Sequence, residues 1–242
     1  MSVINRVVIM QPTFIPWLGW FDIADQSDTV VILDDVSFSK QSWQQRNRIR
    51  TPSGLEYLTL PVSTSGLVGQ LISEAKISDK QKLMKIMKTI KQNYIKTEFF
   101  ELYYESFCEK LIECSGENRL VDINVGIINW FFDCLNLNKK ILLSSDLKVP
   151  GKKTERVVNI CQKVGASSYL TPHGSLDYLY KDRSMFVDIN LPVEIHNYQH
   201  PVYNQYFSPF ISHASTLDLL MNEGVRSIDV IRSGRSKSHE LI

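Results

Sequence analysis

Short apolar runs separated by a helical pattern open the chain. Residues 6–10 and 29–33 are rich in β-branched side chains, and residues 21–26 between them have the pattern of a short helix. Two buried strands joined by a loop and a helix are typical of a βαβ unit, which builds a parallel sheet covered on both faces. The first thirty residues therefore predict the start of a Rossmann-like sheet.

The next segment changes to antiparallel character. Residues 46–50 and 55–60 alternate in the manner of β-strands, and Thr51-Pro52-Ser53-Gly54 between them is turn chemistry. Helical spacing follows over residues 79–93, 97–114 and 120–135.

A second strand–helix–strand unit comes later in the chain. Residues 141–145, 154–165 and 168–171 read as strand, helix and strand, which again favours a parallel sheet. Residues 193–198 alternate as a further strand, and residues 215–222 form the last predicted helix. The predicted fold class is α/β, with a mainly parallel, Rossmann-like sheet, helices on both faces and an antiparallel β-hairpin insertion. We expect a single domain over residues 1–232 and a mobile tail over residues 233–242, where the polar run Ser233–Ser238 carries no apolar pattern.

Composition narrows the class of function. Lys and Arg number 27 against 26 Asp and Glu, a net charge of +1, which argues against a dedicated nucleic-acid binder. The apolar stretch from Val125 to Leu137 is shorter than the roughly 20 residues of a membrane span, and no signal peptide is recognisable. The four cysteines lack the spacing of a zinc or redox motif, which favours structural thiols and a cytoplasmic location; they are Cys108, Cys114, Cys134 and Cys161.

A loop dense in proline and tryptophan follows the first strand. Gln11-Pro12 and Pro16-Trp17-Leu18-Gly19-Trp20 lie where the carboxyl end of a parallel strand would place a ligand. Trp17 and Trp20 offer flat faces to a sugar, a base or a cation. The alternative is that these rings only cover the core.

Charged residues follow at two further strand ends. Asp34 and Asp35 end the second strand, and either could act as a general base, bind hydroxyls or simply cap a turn. In Trp43-Gln44-Gln45-Arg46-Asn47-Arg48, the two arginines would share one strand face and could clamp a phosphate. The alternative is an exposed basic strand.

The five histidines all lie in the last third of the chain. Glu194, His196 and His200 could suggest metal ligands, but four-residue spacing in a strand places them too far apart to chelate tightly. We therefore predict no metal and no cofactor. His200 or His173 is more credible in a single catalytic or binding role.

These segments together resemble the WbqC-like family. The resemblance rests on Gln11-Pro12, Pro16-Trp17-Leu18-Gly19, Asp34-Asp35 and the Trp-x-x-Arg-Asn-Arg motif over residues 43–48, with Leu58-Thr59-Leu60-Pro61-Val62 close behind. Later matches are Gly165-Ala166, Tyr169-Leu170, Gly174, Asp177-Tyr178 and His200-Pro201-Val202-Tyr203-Asn204-Gln205. The chain departs from the family pattern near Phe210, where Phe-Ile-Ser-His-Ala-Ser stands.

The resemblance implies a role in bacterial O-antigen, lipopolysaccharide or other surface-polysaccharide biosynthesis, as a glycine or acyl transferase. We expect an enzyme that attaches a small acyl or aminoacyl group, such as glycyl, to an amino sugar carried on a nucleotide. Its partners would be a nucleotide-linked sugar and an activated acyl donor, with no nucleic acid and no membrane span; a homo-oligomer is left open. A nucleotidyl-transferase-like enzyme and a non-catalytic sugar- or nucleotide-binding accessory protein are the alternatives.

The candidate site residues divide into two groups. The candidate catalytic residues are His200 and Asp35. The candidate substrate-binding residues are Gln11, Trp17, Trp20, Trp43, Arg46, Asn47, Arg48, His173, Asp177, Tyr203 and Gln205.

Overall fold

A six-stranded sheet forms the centre of the structure, a computed structural model that describes residues 4–63 and 69–241 apart from the side chains of Ser175, Asp177 and Tyr178. In chain order the strands are β1 (Arg6–Met10), β2 (Thr29–Ile32), β3 (Arg46–Thr51), β4 (Gly54–Thr59), β5 (Lys140–Leu143), β6 (Ser168–Thr171), β7 (Val193–Tyr198) and β8 (Arg235–Glu240). The helices are α1 (Leu18–Asp25), α2 (Gln81–Tyr94), α3 (Phe100–Cys114), α4 (Leu120–Cys134), α5 (Ser144–Leu147), α6 (Lys153–Lys163), α7 (Leu176–Lys181), α8 (Ser184–Val187), α9 (Thr216–Glu223) and α10 (Ser227–Ser233).

The strand order in the large sheet is β5-β2-β1-β6-β7-β8. The first five strands in this order pair in parallel, and β8 pairs antiparallel to β7. The chain first builds outward from β1 through β2 to β5, and then returns to the other side of β1 with β6. The order therefore reverses between β1 and β6, which is the topological switch point where open α/β sheets bind ligands.

Helices cover both faces of this sheet, because successive side chains of the parallel strands point in opposite directions. Val8 and Met10 of β1 belong to one buried cluster that contains residues of α1, α2, α3, α4 and α9. Val7 and Ile9 belong to a second cluster with residues of α6, α7 and α8. The predicted α/β class with a mainly parallel sheet is confirmed.

The predicted antiparallel insertion is also confirmed. β3 and β4 form a separate two-stranded sheet with the register Arg46↔Thr59 to Thr51↔Gly54. Gly54 has a φ of 124°, a backbone conformation that glycine adopts without steric cost and that allows the tight reversal. Ile49 is buried in the same cluster as α1 and α4, so the hairpin is fixed to the body of the fold.

The end of the chain contains a strand that the sequence analysis did not predict. The structure places β8 at the edge of the large sheet, within the segment for which a mobile tail was expected. All six side chains of β8 are polar and none is buried, so no apolar pattern in the sequence reveals the strand. Arg6 bonds Glu194 at 2.6 Å, and Ser238 of β8 donates to the same carboxylate at 2.5 Å.

Among the described residues, no helix is long and apolar enough to cross a membrane.

Candidate functional site

A cleft opens at the switch point, beyond the carboxyl ends of β1 and β6. Its larger cavity has a volume of about 660 Å³ and is bounded by Met10 and Gln11 after β1 and by Pro172, His173 and Gly174 after β6. A smaller cavity of about 320 Å³ includes Asn47, Arg48 and His213 in its lining. The two cavities share four lining residues and form one cleft; these are Thr13, Trp17, Trp20 and Trp43.

Backbone and amide contacts fix the loop that forms the wall of the cleft. Phe14 N donates to Trp43 O at 2.9 Å, and Asn47 Nδ2 donates to Phe14 O at 3.1 Å. Trp17 also forms a bridge to Ser215. Buried Asn124 supports the segment 43–48, which contains Trp43 and Arg48, because its Nδ2 donates to Gln44 O at 2.8 Å. The proline- and tryptophan-rich loop is therefore part of a built site, and Asn47 positions it.

The tryptophans differ in how much of each ring a ligand could reach. Trp17 is 36% exposed and Trp43 is 45% exposed, whereas Trp20 is buried against Phe21 and Phe132. Trp17 and Trp43 therefore supply open aromatic surface. Trp20 also lines the cleft but offers little open ring surface.

Three residues that line the larger cavity each have a buried polar atom with no hydrogen-bond partner within the described residues. These atoms are Thr13 Oγ1, Trp20 Nε1 and Tyr198 OH. Buried polar groups are normally paired, because an unpaired one costs roughly 1–3 kcal/mol. Burial also raises the pKa of Tyr198, so its hydroxyl keeps its proton. Three such groups around one cavity favour a ligand with several hydroxyl, amide or amine groups.

Arg46 and Arg48, which the sequence predicts to bind one phosphate together, lie in different surroundings. Arg48 lines the smaller cavity, where its guanidinium lies 5.3 Å from the centre of the Trp43 ring and its Nε is buried without a described partner. Arg46 stacks on Tyr57 at 4.3 Å and is absent from the lining of both cavities. The two guanidinium groups thus lie over different aromatic rings, and only Arg48 lines the cleft.

The two candidate catalytic residues lie outside the lining of the cleft. Asp35 pairs with Arg156 and accepts a hydrogen bond from Ser144 Oγ at 2.6 Å. Each oxygen of this carboxylate therefore already accepts a hydrogen bond from the protein. Asp34 is buried and accepts bonds from Ser144 and Ser145, which makes it a brace between the ends of β2 and β5.

His200 packs behind the wall of the cleft. Its Nε2 accepts a hydrogen bond from His213 N at 3.1 Å, and its ring stacks beside Trp17 with centroids 6.3 Å apart. Burial, together with the nearby charges of His213 and Arg48, lowers the pKa of His200 to about 4. A neutral imidazole with this pKa is a weak base at neutral pH.

Tyr203 and Gln205 belong to a buried network around Asp218. Tyr203 OH and Tyr94 OH each donate to Asp218 at 2.7 Å, and Gln205 Nε2 donates to it at 2.9 Å. Desolvation raises the pKa of Asp218 in spite of these donors. Neither Tyr203 nor Gln205 lines the cleft, and we interpret this network as support for the segment that carries His200 and His213.

The remaining candidates lie after β1 and β6. Gln11 is exposed at the larger cavity and accepts a hydrogen bond from Gln44 Nε2 at 2.8 Å. His173 is exposed in the lining of the same cavity. The side chain of Asp177 lies outside the described part of the structure.

A buried hydrogen-bonded cluster beside the cleft was missed by the sequence analysis. Asp22 of α1 is fully buried, and its Oδ2 lies 2.7 Å from Nε2 of His196, a residue that lines the larger cavity. Arg235 Nε donates to Oδ1 of the same carboxylate at 2.9 Å. The available signal was an aspartate inside the apolar helix segment Leu18–Asp25, but nothing in the sequence identified a partner 174 residues away.

Burial affects the chemistry of two cysteines. Burial raises the pKa of Cys134 and of Cys161 to about 12, so neither is a ready nucleophile. Within residues 4–63 and 69–241, no group of three or more His, Cys, Asp or Glu side chains is arranged to hold a metal ion.

Comparisons with known proteins give a family match and a relative of similar length. The model of the WbqC-like protein family matches residues 11–230. The uncharacterized protein Rv1507c of Mycobacterium tuberculosis is 29% identical over 229 residues, a match that covers 94% of this chain and 98% of that protein. No solved structure matches the chain.

Proposed function

This chain belongs to the WbqC-like protein family, and we propose that it is a transferase that attaches a small acyl or aminoacyl group, such as glycyl, to a nucleotide-linked amino sugar. The cleft at the switch point is the proposed acceptor site. The setting in bacterial surface-polysaccharide biosynthesis rests on the family resemblance.

One observation carries the proposal, namely the combination of open indole rings with unpaired polar atoms in a single cleft. Trp17 and Trp43 offer flat apolar surface, and Thr13, Trp20 and Tyr198 each present a buried polar atom without a described partner. A sugar has apolar C–H faces and many hydroxyl groups, so it satisfies both kinds of surface. A ligand of about the volume of one or two sugar rings suits a cavity of about 660 Å³.

The position of Arg48 supports a nucleotide-linked form of that sugar. Its guanidinium lies over Trp43 at the smaller cavity, next to the rings shared by both cavities. A guanidinium suits phosphate oxygens, and an exposed indole suits the face of a base. We therefore place the diphosphate at Arg48 and the sugar in the larger cavity.

Ligand screening of the purified protein is the first test. Nucleoside-diphosphate amino sugars should raise the melting temperature, while the matching hydroxyl sugars and free nucleotides should do so less. A ligand present at 100 times its Kd stabilises the folded state by about 2.7 kcal/mol. Trp43→Ala should abolish the shift, and Tyr206→Ala, which removes an exposed ring away from the cleft lining, should preserve it.

An activity assay distinguishes a transferase from a non-catalytic protein that binds the same sugar with the same tryptophan rings. The protein is incubated with the bound amino sugar and acyl or glycyl thioesters, and the products are examined by mass spectrometry. An added acyl mass on the sugar supports the transferase. Tight binding without any product would favour the accessory binding protein, and no binding at all would contradict both functions.

A further inference from the structure

The three hydrogen bonds to Asp22 determine which nitrogen of His196 can accept a proton. Gln26 Nε2 donates to Oδ2 at 2.7 Å, Arg235 Nε donates to Oδ1 at 2.9 Å, and His196 Nε2 lies 2.7 Å from Oδ2. An ionised carboxylate only accepts hydrogen bonds, so Nε2 must carry the hydrogen. The lone pair of the neutral ring is then on Nδ1, which bonds no described residue.

The imidazole of His196 lies beside the cleft because of its position on β7. His196 lies on β7, near its carboxyl end, and lines the larger cavity together with Tyr198. The two rings stack with centroids 5.9 Å apart and an angle of 14°. The Tyr198 hydroxyl has no described partner, so the imidazole of His196 and a hydrogen-bond donor lie side by side among the residues that line the cavity.

We propose that His196 is the general base of this site and that Asp22 is its positioning residue. This inference rests on the proposed transferase function and assigns the base to His196 instead of His200 or Asp35. Asp22 fixes the tautomer and stabilises the imidazolium that forms, as the carboxylate does in other carboxylate–histidine pairs. Arg235 and Gln26 hold that carboxylate in place.

The step at His196 balances without an oxidant or reductant. The neutral amine of the sugar attacks the carbonyl carbon of an acyl or aminoacyl thioester, a C–N bond forms, and one carbonyl electron pair moves to the oxygen. Nδ1 takes the proton that the nitrogen loses, and Tyr198 donates a hydrogen bond to a ligand oxygen. When the intermediate collapses, the C–S bond breaks, sulfur leaves with the bonding pair, and the imidazolium returns the proton to it. The products are an amide and a thiol.

A purely structural role makes different predictions from the same contacts. Asp22 joins α1 to β7 through His196 and to β8 through Arg235, so the cluster could serve only to brace the sheet. A brace requires the hydrogen bond at Nε2 but places no requirement on Nδ1. A general base requires an unprotonated Nδ1 that is open to the cavity.

Nuclear magnetic resonance of the wild-type protein with ¹⁵N-labelled histidine tests the tautomer without any substrate. We expect the neutral ring of His196 to be protonated at Nε2 and bare at Nδ1, with His196→Gln used to assign its signals. A ring protonated at Nδ1 in the neutral form would overturn the proposal, whatever the outcome of ligand screening.

The transfer assay tests the role of the residue. His196→Gln should lower kcat by about 10²–10⁴-fold, the usual contribution of a general base, and leave the affinity for the amino sugar within threefold of wild type. Asp22→Asn should lower kcat with little change in KM. His239→Gln replaces an exposed histidine of β8 outside the cleft lining and should keep wild-type rates.

The outcomes separate this inference from the proposed function. Wild-type protein that transfers the acyl group, together with an equally active His196→Gln variant, contradicts the base and leaves the transferase intact. A wild-type protein that neither binds nor transfers contradicts the proposed function, and with it the base. Retained melting temperature in His196→Gln with lost turnover supports catalysis over a brace.

Discussion

The imidazole of His200 stacks on the imidazole of His213, with ring centroids 4.8 Å apart and planes at 17°. Both rings also stack beside Trp17, at 6.3 Å for His200 and 6.0 Å for His213. The three rings form a column at the wall of the cleft. A charge on either histidine would oppose a charge on the other, which makes this column sensitive to acid.

His200 should therefore make the protein less stable as the pH falls. Burial lowers its pKa to about 4, below the unfolded value of 6.5, so the unfolded chain binds the proton first. The stability that the neutral ring provides is present above about pH 6.5 and is lost as the pH falls towards 4. Urea unfolding of wild type and His200→Gln between pH 7.5 and 4.5 should show a steeper loss in wild type. Parallel curves for the two proteins would contradict this.

The two arginines of β3 should behave differently in binding. Arg48→Ala should weaken nucleotide-sugar binding by about 1.5–3 kcal/mol, the range for a hydrogen bond to a charged group, because Arg48 lines the smaller cavity. Arg46→Ala should change it little, because Arg46 stacks on Tyr57 away from the lining. Isothermal titration of both variants gives the comparison, and an equal loss in both would restore the symmetric clamp predicted from the strand alternation.

The Asp218 network should contribute to folding. Tyr203→Phe removes one of the donors to a fully buried carboxylate, and we expect it to lower the free energy of unfolding by about 1–3 kcal/mol. Tyr206→Phe is the matched control, since Tyr206 is exposed and should cost less than about 0.5 kcal/mol. Chemical denaturation measures both. An equal effect in the two variants would show that the network adds no net stability.

Local sequence patterns predicted the sheet because they report burial directly. The β-branched runs of β1 and β2 are buried along their length, and the turn Thr51–Gly54 joins the antiparallel strands as its chemistry predicts. The cleft was located for the same reason, since the carboxyl end of β1 follows from the position of that strand. Patterns of this kind need only a few neighbouring residues.

Roles that depend on distant partners could not be read in this way. The sequence makes Asp35 a candidate base, but it does not reveal the pairing of Asp35 with Arg156, which is 121 residues away. His196 was considered only as a metal ligand, because its partner Asp22 comes from another element. β8 escaped prediction because an edge strand of polar residues is held by backbone hydrogen bonds that leave no mark on composition.

Gly19 provides the sharpest test of the cleft wall. It lies in the first turn of α1 and lines the larger cavity, and a Cβ at this position would lie 2.4 Å from two ring carbons of Trp17. Carbon atoms do not approach so closely, so the indole of Trp17 must move or the helix must shift. Because Trp17 also contacts Tyr198, His200 and His213, a displaced indole disturbs the whole column of rings.

We therefore expect Gly19→Ala to fold but to lose ligand binding and to change the tryptophan fluorescence. Gly116→Ala is the matched control, because its Cβ would meet only one carbonyl oxygen at an ordinary 3.5 Å. Binding is measured by titration and the fold by far-ultraviolet circular dichroism. If Gly19→Ala bound nucleotide sugars as tightly as wild type while its fluorescence changed, Trp17 would be a support of the wall and the ligand would stack on Trp43 alone. This result would tell whether Trp17 contacts the ligand or only supports the wall, since Trp17 lines both cavities and could contact the ligand in each.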